Sequence, residues 1–315
     1  GNSVKAGRRT NNLNGALSLC TTGTGKSERL NIFYTDTVEK DLLRAEFDGS
    51  KFKFETVDGN GEYIQDYREE IRVRTASNVS VSNACAATPL GLQVFYRDDS
   101  QGILLGATLV NKKWQYEIVD GDSLLNGRTE GDVAFHLAAL SVGKKVHLLY
   151  DSVIAAPNKV VAQGDVRYAT RSSTSPNDWQ FTTLDLGRRE SPIAGFGVAL
   201  SAEGEKLFAS WLGTSTASPL KADRIRWMDI NDPQSLLEER LSVAPKAPLA
   251  ISPSSIIYGC EDRLCNFDLA TRKSKLVSEE STANTTSISW ITWKKTSYAL
   301  ANVSGKLSLL KQPGL

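Results

Sequence analysis

Apolar and polar residues alternate in short runs along most of the chain. Leu30-Asn31-Ile32-Phe33-Tyr34, Leu92-Gln93-Val94-Phe95-Tyr96, Val146-His147-Leu148-Leu149-Tyr150 and Leu207-Phe208-Ala209-Ser210-Trp211 are rich in β-branched and aromatic residues. Runs of this kind bounded by Gly, Asn, Asp and Ser are the signature of strands closed by turns. No segment longer than about twelve residues sustains a helical period. The best helical candidate, Pro233 to Arg240, is short and sits between strand patterns. The pattern predicts an all-β chain.

The runs repeat. An aromatic closes the second run of each unit at Tyr34, Tyr96, Tyr150, Trp211 and Tyr258, roughly every 50–60 residues, within the range of blade-sized repeats. Third runs follow at Leu42-Leu43-Arg44-Ala45, Leu104-Leu105-Gly106-Ala107, Val166-Arg167-Tyr168-Ala169 and Ile225-Arg226-Trp227-Met228. Fourth runs carry an aromatic and end near an acidic residue: Phe52-Lys53-Phe54 before Asp58-Gly59, Trp114-Gln115-Tyr116 before Asp120-Gly121, and Trp179-Gln180-Phe181 before Asp185. Asp-Gly after a β run is a turn signal, because glycine accepts positive φ. Recurrence at one strand position is what a stacked core demands, so the repeated aromatics read as packing residues.

This rhythm predicts one β-propeller domain over residues 1–315, with about six four-stranded blades. Three strands of the sixth blade come from Ser287 to Trp293, Ser297 to Asn302 and Lys306 to Lys311. The N-terminal segment Val4 to Arg8 is expected to supply the fourth, so that both chain ends close one blade and protect the ring's edges. The count rests on how Glu62 to Thr75 is divided; other divisions give five or seven. Glu62 to Arg74 is a highly charged insertion between repeats one and two, expected as a solvated loop or as a loop bordering a site.

The phrase Val94-Phe95-Tyr96-Arg97-Asp98, Gly102-Ile103-Leu104, Trp114-Gln115 resembles blades of the fungal fucose-binding lectins, which are six-bladed propellers. It is also similar to bacterial surface-protein repeats. Arg171-Ser172-Ser173 with Asn177-Asp178-Trp179 resembles the Asp-box turn of sialidase-like propellers. The lectin resemblance implies sugar held between blades by an arginine and a glutamate on neighbouring strands, with aromatic walls. Arg167 and Arg226 stand at matching places in repeats three and four, where repeats one and two have Leu43 and Leu105; no glutamate is repeated beside them.

Composition narrows the partners. Lysine plus arginine (37) nearly cancel aspartate plus glutamate (36), without the basic excess expected of a nucleic-acid binder. No apolar run approaches the roughly 18–20 residues that span a bilayer. The chain opens Gly1-Asn2-Ser3, and any secretory leader is expected to have been removed. Four cysteines form two sensible pairs. Cys260 and Cys265 frame a span that a tight hairpin could close, and Cys20 and Cys85 occupy matching first strands of successive repeats. The predicted disulfides Cys20–Cys85 and Cys260–Cys265 favour a secreted or cell-surface setting.

Sugar binding needs flat aromatic faces for the apolar side of the ring and planar polar groups for the hydroxyls. Arg167 with Tyr168, Arg226 with Trp227, and Trp290 and Trp293 are the candidate ligand-binding residues. Neighbours on one strand point to opposite faces, however, so each pair divides between two grooves. The two histidines, His136 and His147, lie in apolar strand patterns and read as structural. No zinc-ligand spacing, phosphate loop, nucleophile elbow or other catalytic motif is present, so no cofactor, metal or catalytic residue is assigned. Asp36, Asp98 and Asp151 recur after the second-run aromatic and are expected to cap turns. The sequence therefore predicts a non-enzymatic, glycan-binding protein that uses grooves between blades. The alternatives are a carbohydrate-active enzyme with one central site, such as a glycoside hydrolase or polysaccharide lyase, and a protein-interaction scaffold.

Overall fold

Short turns keep consecutive strands side by side, and antiparallel pairing follows. The computed structural model describes residues 16–59, 76–155, 161–172, 178–186, 193–214, 222–241, 245–260, 263–278, 285–293, 296–303 and 306–311. Blade 1 is β1 (Leu17–Thr22), β2 (Arg29–Asp36), β3 (Asp41–Phe47) and β4 (Phe52–Asp58). Blade 2 is β5 (Asn83–Thr88), β6 (Gly91–Asp98), β7 (Ile103–Val110) and β8 (Lys113–Asp120). Blade 3 is β9 (Asp132–Val142), β10 (Lys145–Ala155), β11 (Val161–Ser172) and β12 (Gln180–Asp185). Blade 4 is β13 (Ile193–Glu203), β14 (Lys206–Thr214), β15 (Arg224–Asp229) and β16 (Leu237–Arg240). Blade 5 is β17 (Pro245–Ile251), β18 (Ser255–Cys260), β19 (Arg263–Asp268) and β20 (Lys273–Ser278). Blade 6 shows three strands among the described residues, β21 (Thr285–Trp293), β22 (Thr296–Val303) and β23 (Lys306–Lys311).

The first strands β1, β5, β9, β13, β17 and β21 lie next to one another in order, and β21 returns to β1. The sheets thus close into a ring, and the fold is a β-propeller. Blades 3 and 4 also share one parallel bridge, Gly164 with Ile193. The expected fourth strand of blade 6, Val4 to Arg8, and the charged insertion Glu62 to Arg74 lie outside the described residues. The helical candidate resolves into a single 3-10 turn at Pro233–Ser235 followed by strand β16. No helix among the described residues is long and apolar enough to cross a membrane.

Alternation along each strand feeds two cores at once. Tyr96 packs with Phe33, Leu42, Val57 and Val94 between blades 1 and 2. Its neighbour Phe95 packs with Leu104, Val146, Leu148 and Tyr150 between blades 2 and 3. Leu149, Tyr168, Trp211 and Met228 fill the interface of blades 3 and 4, and Trp227, Tyr258 and Phe267 that of blades 4 and 5. Tyr96, Tyr150, Trp211 and Tyr258 are buried, as packing residues must be, and Tyr34 is half-buried.

A polar latch is superposed on this packing. The aspartate that ends a fourth strand accepts from the second-strand aromatic of the next blade. Tyr96 Oη donates to Asp58 at 2.6 Å, Tyr150 Oη to Asp120 at 2.6 Å, and Trp211 Nε1 to Asp185 at 2.7 Å. The other carboxylate oxygen of Asp120 accepts the Gly121 amide at 2.9 Å. Gly121 has φ +102°, and a Cβ there would lie 2.9 Å from the Ile103 Cα, so this turn requires glycine.

The expected turn caps form at Asp36, which accepts the amides of Val38 and Glu39, and at Asp98, which accepts those of Ser100 and Gln101. Asp151 differs. Strand β10 continues to Ala155, and Asp151 faces a bulge in β9, where it binds His136 instead. Both predicted disulfides are present. Cys20–Cys85 joins the innermost strands of blades 1 and 2 with Cα atoms 6.1 Å apart, and Cys260–Cys265 closes the β18–β19 hairpin at 5.7 Å.

Candidate functional site: the grooves between blades

Strand alternation sends the sequence-selected residues into different grooves. Arg167 faces blade 2. Its Nε donates to Asp120 at 3.0 Å and its Nη2 to the Gly127 carbonyl at 2.6 Å. Tyr168, the next residue, faces blade 4 and is buried. Arg226 returns to blade 3, with Nη1 2.6 Å from Asp185 and Nε 2.5 Å from Glu238. Trp227 faces blade 5, where it meets Phe267 edge to face at 5.4 Å. Trp290 and Trp293 lie on β21 opposite Ala299 and Thr296; their side chains are outside the described residues. The four of these whose side chains are described, Arg167, Tyr168, Arg226 and Trp227, face three different blade interfaces. Arg167 and Arg226 are instead second partners of the latch aspartates, filling the positions held by Leu43 and Leu105 in blades 1 and 2. Burial, with the Asp120 carboxylate beside it, pushes the Tyr150 hydroxyl well above the ordinary phenol range, which keeps it a donor.

A different set of residues repeats at the groove mouths. In the groove between blades 1 and 2, Arg44 on β3 stands in register with Glu55 on β4. Arg44 Nη1 donates to Glu55 Oε1 at 2.6 Å, Nε and Nη2 donate to Asn31 Oδ1 at 3.0 and 2.6 Å, and Glu46 is a further partner of Nη2. Trp114 from blade 2 leans over this cluster, 6.0 Å from the guanidinium and edge to face with Phe33 at 6.1 Å. Glu55 is exposed at the mouth while Arg44 is buried. This is an arginine and a glutamate on neighbouring strands with an aromatic wall.

The next groove repeats the cluster from different strands. Glu117 on β8 takes the place of Glu55, and Trp179 of blade 3 takes the place of Trp114. The residue in register with Glu117 is Gly106, so the arginine must come from elsewhere. Arg171 on β11 supplies it, donating from Nη1 to Glu117 Oε2 at 2.6 Å and lying 4.3 Å over the Trp179 ring. Trp179 Nε1 donates to the same Glu117 oxygen at 3.2 Å, and its ring meets Phe95 edge to face at 5.7 Å. A Cβ on Gly106 would lie 2.9 Å from Glu117 Oε1 and 3.2 Å from Phe95, so glycine makes room for the glutamate to lean inward. Aligning the repeats on the latch aspartates exposes the pattern: Glu55 and Glu117 each precede theirs by three residues, and Trp114 and Trp179 precede Asp120 and Asp185 by six.

The ring also encloses a central cavity of about 340 Å³, walled by β1, β5, β9, β13 and β17. Its lining among the described residues is apolar or small, with no charged side chain. In its wall Ser18 of β1 donates to Asn83 of the adjacent β5 at 2.5 Å, on the strands joined by the Cys20–Cys85 bridge. The two histidines occupy contrasting places. His147 is buried, and burial together with Lys145 pulls its pKa down to about 4. It is therefore neutral near pH 7, and its Nδ1 is hydrogen-bonded with the Tyr168 hydroxyl at 2.5 Å. His136 is a third exposed and sits on the β9 bulge. Its backbone amide and its Nδ1 both lie 2.9 Å from the buried Asp151 carboxylate. Ala134, at φ +62°, starts the bulge that aims this ring outward.

No known protein family matches the chain. No curated protein matches it either. Among solved structures the chain is similar to Trypanosoma rangeli sialidase, at 12% identity and TM-score 0.52, covering 93% of this chain and 53% of that one. It is also similar to the extracellular domain of a putative one-component system from B. thetaiotaomicron, at 12% identity and TM-score 0.50, covering 96% of this chain and 39% of that one. At these identities the likeness is one of fold, and the fold shared is the propeller.

Proposed function

We propose that this protein is a secreted or cell-surface binding protein, not an enzyme, that recognises glycans in the grooves between its blades. The observation that carries this reading is the arginine–glutamate–tryptophan cluster, which recurs in two successive grooves although its arginine comes from a different strand each time. Such a cluster offers planar hydrogen-bonding groups to hydroxyls and an indole to the apolar face of a sugar ring. Arg226 and Glu238, in register on β15 and β16, offer the polar half of the same arrangement in blade 4. The two disulfides support an oxidising, extracellular setting.

A glycan array probed with the oxidised protein and with Trp114→Ala and Trp179→Ala variants tests the reading. Binding by the wild type that falls in each variant and disappears in the double variant is the expected result. A blank array, or binding indifferent to both tryptophans, overturns it.

One observation favours a second reading. His136, held by Asp151 and partly exposed, has the geometry of an oriented general base, as a glycan-cleaving enzyme would need. Release of reducing ends or unsaturated sugars from polysaccharides, lost in a His136→Ala variant, would replace the binding role with a catalytic one.

A further inference from the structure

The groove between blades 2 and 3 contains buried polar groups that no described residue satisfies. Arg171 is 2% exposed, and its Nε and Nη2 have no partner; only Nη1 is bonded, to Glu117. Gln93 on β6 is fully buried, and both its amide nitrogen and its amide oxygen are unpartnered. Gln93 stands two residues before Phe95 and so shares its face of the strand. Phe95 meets Trp179, over which Arg171 lies. The four orphaned atoms thus belong to one groove. Buried polar atoms without partners are rare and each needs a reason.

The neighbouring groove is an internal comparison. Asn31 holds in β2 the place that Gln93 holds in β6, and its Oδ1 fills the Nε and Nη2 edge of Arg44. Two carboxylates, Glu46 and Glu55, also reach Arg44, whereas Arg171 has one, Glu117. The vacant atoms of Arg171 are the two whose N–H bonds run parallel along one side of the guanidinium. That edge matches the two oxygens of a carboxylate.

We infer that the Nε and Nη2 edge of Arg171 is a subsite for the carboxylate of an acidic sugar, with the Gln93 amide as second anchor and Trp179 at the mouth. This rests on the glycan reading above and names the ligand class for one groove. The carboxylate enters the groove and the sugar ring stays outside it, beside the half-buried indole. The groove between blades 1 and 2, whose arginine is already closed by Asn31, has no such requirement.

Calorimetric titration with sodium D-glucuronate and with D-glucose tests the subsite, because the two differ at the carboxylate alone. Glucuronate is expected to bind at least about tenfold more tightly than glucose. Arg171→Lys, which keeps the charge and loses the fork, is expected to lower glucuronate affinity by at least about tenfold. Gln93→Leu, which leaves Arg171, Glu117 and Trp179 in place, is expected to lower it as well and serves if the lysine variant does not fold. Equal affinity for the two sugars, no binding of glucuronate, acetate binding as tightly as glucuronate, or variants that bind like the wild type would each overturn the inference. Neutral glycans bound through Trp114 and Trp179 without any preference for glucuronate would leave the glycan reading standing and remove this one.

Discussion

Asp120, at the end of blade 2, accepts the Tyr150 hydroxyl of blade 3 at 2.6 Å while Arg167 Nε lies 3.0 Å from the same oxygen. The carboxylate is fully buried, so its partners must all come from the protein. Tyr150→Phe keeps the ring and removes one of them. The expected cost is about 1–3 kcal/mol, typical of a lost hydrogen bond to a buried charged group. Urea denaturation read as a fall in midpoint checks it, and an unchanged midpoint would show that Arg167 and the backbone amides suffice.

The two disulfides should differ in worth. Cys20–Cys85 closes a loop with sequence separation 65 and Cys260–Cys265 one with separation 5. Loop-closure entropy gives roughly 4 kcal/mol for the first and roughly 2 for the second. Paired serine variants are therefore expected to melt in the order wild type, Cys260/Cys265, Cys20/Cys85, by differential scanning calorimetry. The reverse order would mean that the ring holds blades 1 and 2 together without the covalent link.

His147 should make stability sensitive to mild acid. Its folded pKa, about 4, lies below the ordinary histidine value of 6.5 because burial and Lys145 disfavour the charged ring. A depressed pKa contributes stability that is present above pH 6.5 and is lost as pH falls toward 4. His147→Gln is expected to flatten the fall in melting temperature across that window. An identical slope in the variant would assign the acid sensitivity to other groups.

Gly106→Ala should act on one groove only. The added Cβ would crowd Glu117 and Phe95, displacing the carboxylate that joins Arg171 to Trp179. The expected effect is a loss of about 1–3 kcal/mol, as for overpacking, with a red shift in the Trp179 contribution to fluorescence seen by difference against a Trp179→Phe background. The groove between blades 1 and 2 should keep its glycan binding, measured on the same array.

The architecture was legible because its determinants are local and repeated. Tyr96, Tyr150 and Trp211 recur in sequence because each meets the same latch in space, and Cys20 and Cys85 pair because both lie on first strands. The grooves were less legible for two physical reasons. Arg167 and Arg226 look available in sequence, and nothing local says that Asp120 and Asp185 from the preceding blades lie against them. The recurring glutamates, Glu55 and Glu117, were hidden because their arginines are not in equivalent positions: Arg44 comes from the same blade, Arg171 from the next. The bulge that turns Asp151 from a turn cap into a histidine partner depends on β9, fifteen residues before it in the chain.

The latch aspartates have a mechanical consequence for the whole disc. They bolt blade 1 to 2, 2 to 3 and 3 to 4, and the Cys20–Cys85 bridge reinforces the first of these joints. At the joint of blades 4 and 5 no such latch is seen among the described residues: the Tyr258 hydroxyl bonds to Ser274 within its own blade, and the described contacts are the packing of Trp227 on Phe267 and Arg272 lying 5.9 Å from the Trp227 ring. Of the four joints described, this one is held by packing without a latch. Among the strands at these four joints, the amides of β16 and β17 should exchange with solvent before those flanking the clasped joints, whose latches hold the two tryptophan grooves in register.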